Sequence, residues 1–145
     1  MLIYLDNCCF NRPYDDQVHT NIYLETQAKL YIQEAILTGK YQLAWSYILQ
    51  YENDQNPYIS HKHEIGKWKQ KASRLIAPST EIIDLAKGFQ LIGLSTKDAL
   101  HCACAASARV DAFITTDKQL IKIGQKIPEL NIINPLTIIQ QEPNS

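Results

Sequence analysis

The sequence contains no apolar run long enough to cross a bilayer. Nor does it open like a secretion signal. Met1-Leu2-Ile3-Tyr4-Leu5 runs straight into Asp6 and Asn7, and polar groups that early break the apolar stretch such a signal needs. These absences lead to the expectation of a cytoplasmic chain with no membrane partner. The cysteines, Cys8, Cys9, Cys102 and Cys104, lack the C-x-x-C spacing of a zinc or redox motif. In a reducing compartment they are expected to be free thiols packed as small hydrophobes. His61 and His63 stand two apart, which on a helix points them in different directions, as solvated residues rather than a ligand pair. A basic excess is also missing. The formal net charge is −1, so bulk charge gives nucleic-acid binding no support, although a net count hides local patches. No internal repeat or low-complexity linker interrupts the 145 residues, a length that suits one domain with one core. That domain is expected to span residues 1–140, with a flexible tail at 141–145.

What is present reads as short strands alternating with helices. Leu2 to Leu5 is a short buried strand ended by Asp6-Asn7, and Arg12-Pro13 signals a loop. From about Asn21 to Leu37 the apolar residues fit a helix that Gly39 would stop. Gln42 to Trp45 is a second strand, and Ser46 an N-cap for a helix through Asp54. Ile59 to Ile76 reads as one amphipathic helix with Ile65, Trp68, Ala72, Leu75 and Ile76 on its stripe. Ser79 starts a helix broken near Gly93, and Ser95 one running to about Arg109. Ala112 to Thr115 is a third strand, Lys118 to Ile123 a short helix, and Asn131 to Ile133 a fourth strand. The pattern implies a single three-layer α/β domain, its central, mostly parallel sheet flanked by helices. In such sheets ligands bind beyond the carboxyl ends of the strands, where Asp6 and Asp117 are expected.

Four carboxylates carry the candidate chemistry, and each has a plainer explanation. Asp6 can make an Asx-turn at its strand end. Glu52 lies on the inward stripe with Trp45, Ile48 and Leu49, without a Lys or Arg within a turn; a half-buried acid so placed requires a partner. Asp98, in Ser95-Thr96-Lys97-Asp98, fits a capping box, yet the helix it opens is apolar on nearly every face. Asp117 can cap the helix after its strand, and it also sits where α/β enzymes keep catalytic groups. Together, clustered carboxylates repel one another unless a cation neutralises them. An all-oxygen set favours Mg²⁺ or Mn²⁺ over Zn²⁺.

The order of these motifs resembles the PIN-domain nucleases, including toxin components of bacterial toxin–antitoxin pairs. The resemblance runs from Ile3-Tyr4-Leu5-Asp6, through Ser46 to Glu52 and Lys97-Asp98-Ala99-Leu100-His101, to Phe113-Ile114-Thr115-Thr116-Asp117. It departs at Asn7-Cys8-Cys9, where toxins often carry a small hydroxyl residue soon after the first Asp. The resemblance implies a Mg²⁺- or Mn²⁺-dependent endoribonuclease acting on RNA. Asp6 and Asp98 would be direct ligands, with Glu52 and Asp117 completing the shell. Thr116 would orient Asp117, and Asn7 would support the site. It also implies a homodimer and an antitoxin protein as partner.

For RNA positioning, Arg12 can contact a phosphate or remain a solvated loop residue. Lys67, Lys71 and Arg74 share a face at i, i+4, i+7 spacing, as either a phosphate track or an ordinary solvated helix face. The competing class is a non-catalytic PIN-like module that binds protein or RNA. A phosphotransfer domain fits less well, since Asp6 is followed by Asn7 with no D-x-D motif.

Overall fold

The computed structural model describes residues 1–141. Strand β1 (Leu2–Leu5) is apolar and buried beyond Leu2, as a parallel strand covered on both faces must be. It is followed by β2 (Gln42–Ser46), β3 (Arg74–Ile76), β4 (Ala112–Ile114) and β5 (Ile132–Ile133). All pair in parallel, in the order β3-β2-β1-β4-β5. The helices are α1 (Asn7–Asn11), α2 (Thr20–Leu37), α3 (Tyr47–Asp54), α4 (Ile59–Gly66), α5 (Thr80–Leu91), α6 (Thr96–Ser107), α7 (Lys118–Gly124) and α8 (Pro135–Gln141). The result is the expected three-layer α/β domain. Ile3, Tyr4, Leu5, Leu43, Trp45, Phe113 and Ile114 form the centre of the core, with Tyr4 stacked on Phe113.

Sheet order and chain order together position the site. From β1 the chain builds outward through β2 to β3, then returns to the other side of β1 for β4 and β5. The reversal falls between β1 and β4, the switch point where open α/β sheets leave a crevice. Three strands end in a residue that caps the next helix. The side chain of Asp6 accepts from the Asn7 N–H, that of Ser46 from Leu49, and that of Asp117 from Gln119 and Leu120. Capping therefore gathers helix N-termini and two carboxylates on the same edge of the sheet.

Three local expectations need correction. The expected helix from Ile59 to Ile76 stops at Gly66; a 3-10 turn follows at Lys67–Lys71, and then strand β3. Apolar spacing there satisfies the helical period, but β2 would otherwise be left with an open edge. Pairing of Ala44, Trp45 and Ser46 with Arg74, Leu75 and Ile76 closes it. The loop expected after Asp6 is helix α1 followed by a 3-10 turn at Arg12–Tyr14. Trp45 is buried, as its inward position implies, and donates its indole N–H to Gln50. The chain after β5 continues as α8, which begins on a proline, a residue well suited to the first helical position. Gln141 ends that helix, and the remainder of the expected tail, 142–145, lies outside the described residues. Gly39 does stop α2, in the left-handed region at φ +84°.

Candidate metal centre

Asp6 is 8% exposed and held on several sides. Its Oδ1 accepts from its own helix N-terminus at 2.8 Å, and its Oδ2 accepts from the Thr115 hydroxyl at 2.8 Å and faces the Cys8 thiol at 3.6 Å. Thr115 Oγ1 also accepts from the Asp117 N–H at 3.1 Å. One fully buried hydroxyl thus ties together the two carboxylate-bearing strand ends. The residue expected for that role was Thr116. Period-2 alternation explains the difference, because neighbours in an extended segment point to opposite faces. The Thr116 N–H donates instead to Cys8 Sγ at 3.4 Å. A thiol therefore bonds this pocket close to where the resemblance leads one to expect a hydroxyl.

Glu52 reaches the same place from α3. Its Oε1 contacts Nε2 of His101, and Lys97 Nζ stands 3.9 Å from its Oε2. His101 is 1% exposed, and its Nε2 lies 3.9 Å from Asp6 Oδ1. One ligand atom from each of Asp6, Glu52 and His101 lies within 4.8 Å of the others. His101 was not among the expected site residues. The signal for it was present: it follows Asp98 by three residues on a helix, and so shares its face. It is also a polar ring in a nearly all-apolar run, Ala99 to Ala106, where a buried polar group must have partners.

Asp98 opens α6, with its backbone N–H on Ser95 Oγ at 3.1 Å, so the capping reading of this residue is realised. Its carboxyl is also electrostatically coupled to the cluster. Burial raises its pKa above the usual carboxylate range, and the nearby charge of Asp6, then that of Asp117, push in the same direction. Asp117 is the most exposed of the acids and caps α7. Of the four expected carboxylates, Asp6 and Glu52 come within ligand distance of one another, while Asp98 and Asp117 stand outside that group and Asp98 feels the charges of Asp6 and Asp117. Like charges crowded at a sheet's carboxyl edge, with an imidazole nitrogen among them, are a donor set that a divalent cation fits.

Other expected residues are distributed differently. Asn7 lines a groove of about 310 Å³ that opens beside Glu52, together with Asn11, Tyr51, Asn56, Tyr58 and Lys97. Arg12 is committed elsewhere, bonded to Glu25 at 3.0 Å and Asp15 at 2.9 Å. Lys67, Lys71 and Arg74 share no helical face, since the helix they were assigned to ends before them. Lys67 pairs with Glu64, and the cation lining the groove is Lys97. The cysteines are free thiols, all buried except Cys8, which is half-buried. His61 stacks on Tyr14 with ring centroids 3.7 Å apart.

No protein-family profile and no curated protein matches the chain. Solved structures do. The chain is similar to one in the crystal structure of VapBC2 from Rickettsia felis bound to a DNA fragment from their promoter. There the TM-score is 0.58 at 14% identity, over 92% of this chain and 98% of that one. It is similar also to one in the crystal structure of FitAcB from Neisseria gonorrhoeae, with TM-score 0.61 at 11% identity over the same shares. Both are PIN-domain toxin–antitoxin systems. The fold is PIN-like. At these identities the likeness is one of architecture, and within that PIN-like architecture the acidic cluster sits at the carboxyl edge of β1 and β4. Among the described residues no helix is long and apolar enough to cross a membrane.

Proposed function

We propose that the protein is a divalent-metal-dependent endoribonuclease and the toxin of a toxin–antitoxin pair, with Asp6, Glu52, Asp98 and Asp117 as its acidic site. The observation that carries this reading is convergence. Asp6 and Glu52, 46 positions apart in sequence, come together with His101 at the switch point of a PIN-like sheet, and Asp98, its pKa raised by burial and then by the charges of Asp6 and Asp117, stands within electrostatic reach of them. Asp6 and Asp98 are the proposed direct metal ligands, with Glu52 and Asp117 completing the shell. A bound Mg²⁺ or Mn²⁺ supplies an acidified water and charge neutralisation at the scissile phosphate.

The chain's own residues perform the remaining tasks. Thr115 fixes the rotamer of Asp6 and the backbone entering Asp117. Lys97 stands at the mouth of the groove, positioned to pair with a phosphate once Glu52 is engaged elsewhere. Tyr51 and Tyr58, 57% and 63% exposed, offer faces on which unpaired RNA bases can stack. Asn7 and Asn11 add amide donors along the same wall. A homodimer and an antitoxin protein are the proposed partners. Exposed Tyr23, Leu24, Leu30 and Leu37 on α2 support an apolar contact surface.

The test is cleavage of a mixed RNA pool by purified protein with Mg²⁺ or Mn²⁺, against a chelator control. Asp98→Asn keeps shape and the backbone bond to Ser95 but removes a charge, so cleavage should vanish while the fold persists. Full activity in Asp98→Asn, or cleavage unaffected by chelator, would overturn the reading. Absence of cleavage with tight RNA binding would favour a binding module.

A further inference from the structure

The carboxylates led to the expectation of an all-oxygen site. The packing around His101 argues otherwise. Its ring is held from behind: Nδ1 and the Tyr4 hydroxyl are 2.6 Å apart, and that hydroxyl is 2.6 Å from Ser46 Oγ. Ser46 Oγ in turn accepts from the Leu49 N–H at 3.2 Å. Tyr4, Ser46 and His101 are all at least 99% buried. No water is needed to satisfy this relay, and the ring cannot turn without breaking it. The opposite nitrogen, Nε2, is thereby aimed between Glu52 Oε1 and Asp6 Oδ1.

Protons can fill this relay in a direction that leaves a ligand. With Nδ1–H donating to Tyr4 Oη, and the Tyr4 hydroxyl donating to Ser46 Oγ, Nε2 is free of its proton once an ion takes the place of its hydrogen bond to Glu52, and its lone pair then points between the two carboxylates. Metal-bound histidines usually have this arrangement, one ring nitrogen on the ion and the other fixed by a hydrogen-bond partner that sets tautomer and orientation.

We infer that His101 is a nitrogen ligand of the metal centre, which makes it a mixed imidazole–carboxylate site that selects Mn²⁺ over Mg²⁺. This rests on the metal-dependent reading above and names the class of ion that site takes. Mg²⁺ requires oxygen ligands and gives up its water reluctantly, whereas first-row transition ions accept an imidazole. Tyr4 is then a positioning residue, acting on the ion only through His101.

The experiment uses tag-free protein loaded with Mn²⁺ and pulsed EPR, comparing natural-abundance protein with protein carrying ¹⁵N-histidine. The expected result is a ¹⁴N coupling to Mn²⁺ that is replaced by ¹⁵N on labelling and is absent in His101→Gln. This needs no activity and, for wild type, no variant that must fold. Calorimetric titration should show wild type binding Mn²⁺ about tenfold or more tighter than Mg²⁺. His101→Gln should lose at least the roughly 10–100-fold in Mn²⁺ affinity that removing even an outer partner of a metal site costs, with Mg²⁺ affinity changed less than about threefold, since oxygen ligands alone hold that ion. Stoichiometric Mn²⁺ binding without nitrogen coupling, or a coupling that survives in His101→Gln, would overturn this inference alone. Wild-type protein that binds neither ion would overturn it together with the proposed function.

Discussion

Thr115→Val tests the keystone of the site. Valine keeps the volume and β-branching of threonine and removes only the hydroxyl. That hydroxyl donates to a carboxylate at 2.8 Å and accepts from the Asp117 N–H at 3.1 Å, in a residue with 0% exposure. Water cannot enter to replace it. A bond to a charged group contributes about 1.5–3 kcal/mol and a neutral one about 0.5–1.5 kcal/mol, so the expected loss is about 2–4 kcal/mol. For a domain of this size that lowers Tm by about 6–15 °C. Calorimetry or thermal circular dichroism measures it, and Thr116→Val is the matched control, expected to cost less than about 1 kcal/mol because it leaves the Asp6 and Asp117 bonds intact. Under the proposed function Thr115→Val should also weaken Mn²⁺ binding by releasing Asp6, below its own melting range. A variant melting within a degree or two of wild type, or a Thr116→Val variant that melts lower than Thr115→Val, would refute the argument that Thr115 joins the two strand ends.

Three further outcomes follow from features away from the site. Lys29 is almost fully buried, and burial pushes its pKa down to about 8 from 10.5; the unfolded chain then holds the extra proton between those values. Stability should therefore rise with pH across that window, with a penalty of about 3 kcal/mol fully present below it. Lys29→Met should remove most of that penalty near pH 7 and flatten the rise, as read from urea midpoints at pH 7 and 9.5. Gly124 packs against β5, where an added Cβ would lie 2.6 Å from Ile132 Cδ1 and 3.0 Å from its Cβ; Gly124→Ala should cost about 1–3 kcal/mol by denaturant melts, since the Ile132 backbone would have to move. Light scattering should give the mass of a homodimer, and a monomer at high concentration would remove that part of the proposal.

Elements governed by local chemistry were legible in the sequence. β1 reads as a buried strand because its four residues are apolar and Asp6 ends it. Ser46, Ser79 and Ser95 read as caps because a hydroxyl before an apolar period has a defined bond to make, and each makes it. β3 was not legible, since Leu75 and Ile76 continue a helical stripe and only the open edge of β2 turns them into a strand. The carboxylates were legible through their positions after strands and at helix starts. His101 stood out as a polar ring in an apolar helix, but its partners Tyr4 and Glu52 lie 97 and 49 residues away and could not be read from its neighbours. Which of two adjacent threonines faces Asp6 depends on the exact exit of β4, which composition does not set.

The bond between Asp6 and Thr115 joins residues 109 positions apart, and β1 finds its second neighbour only in β4. A chain growing from its N-terminus therefore exposes Asp6 and Glu52 long before Asp98, His101 and Asp117 exist. Any activity built on this cluster stays silent until the chain through Asp117 has been made, and no fragment ending before β4 can carry it. The same layout lets the molecule be divided. A cut near the exposed Pro57 would leave Asp6 and Glu52 on one piece and Asp98, His101 and Asp117 on the other. Neither piece would hold the whole cluster, and reassembly of the two around β1 and β4 would restore it.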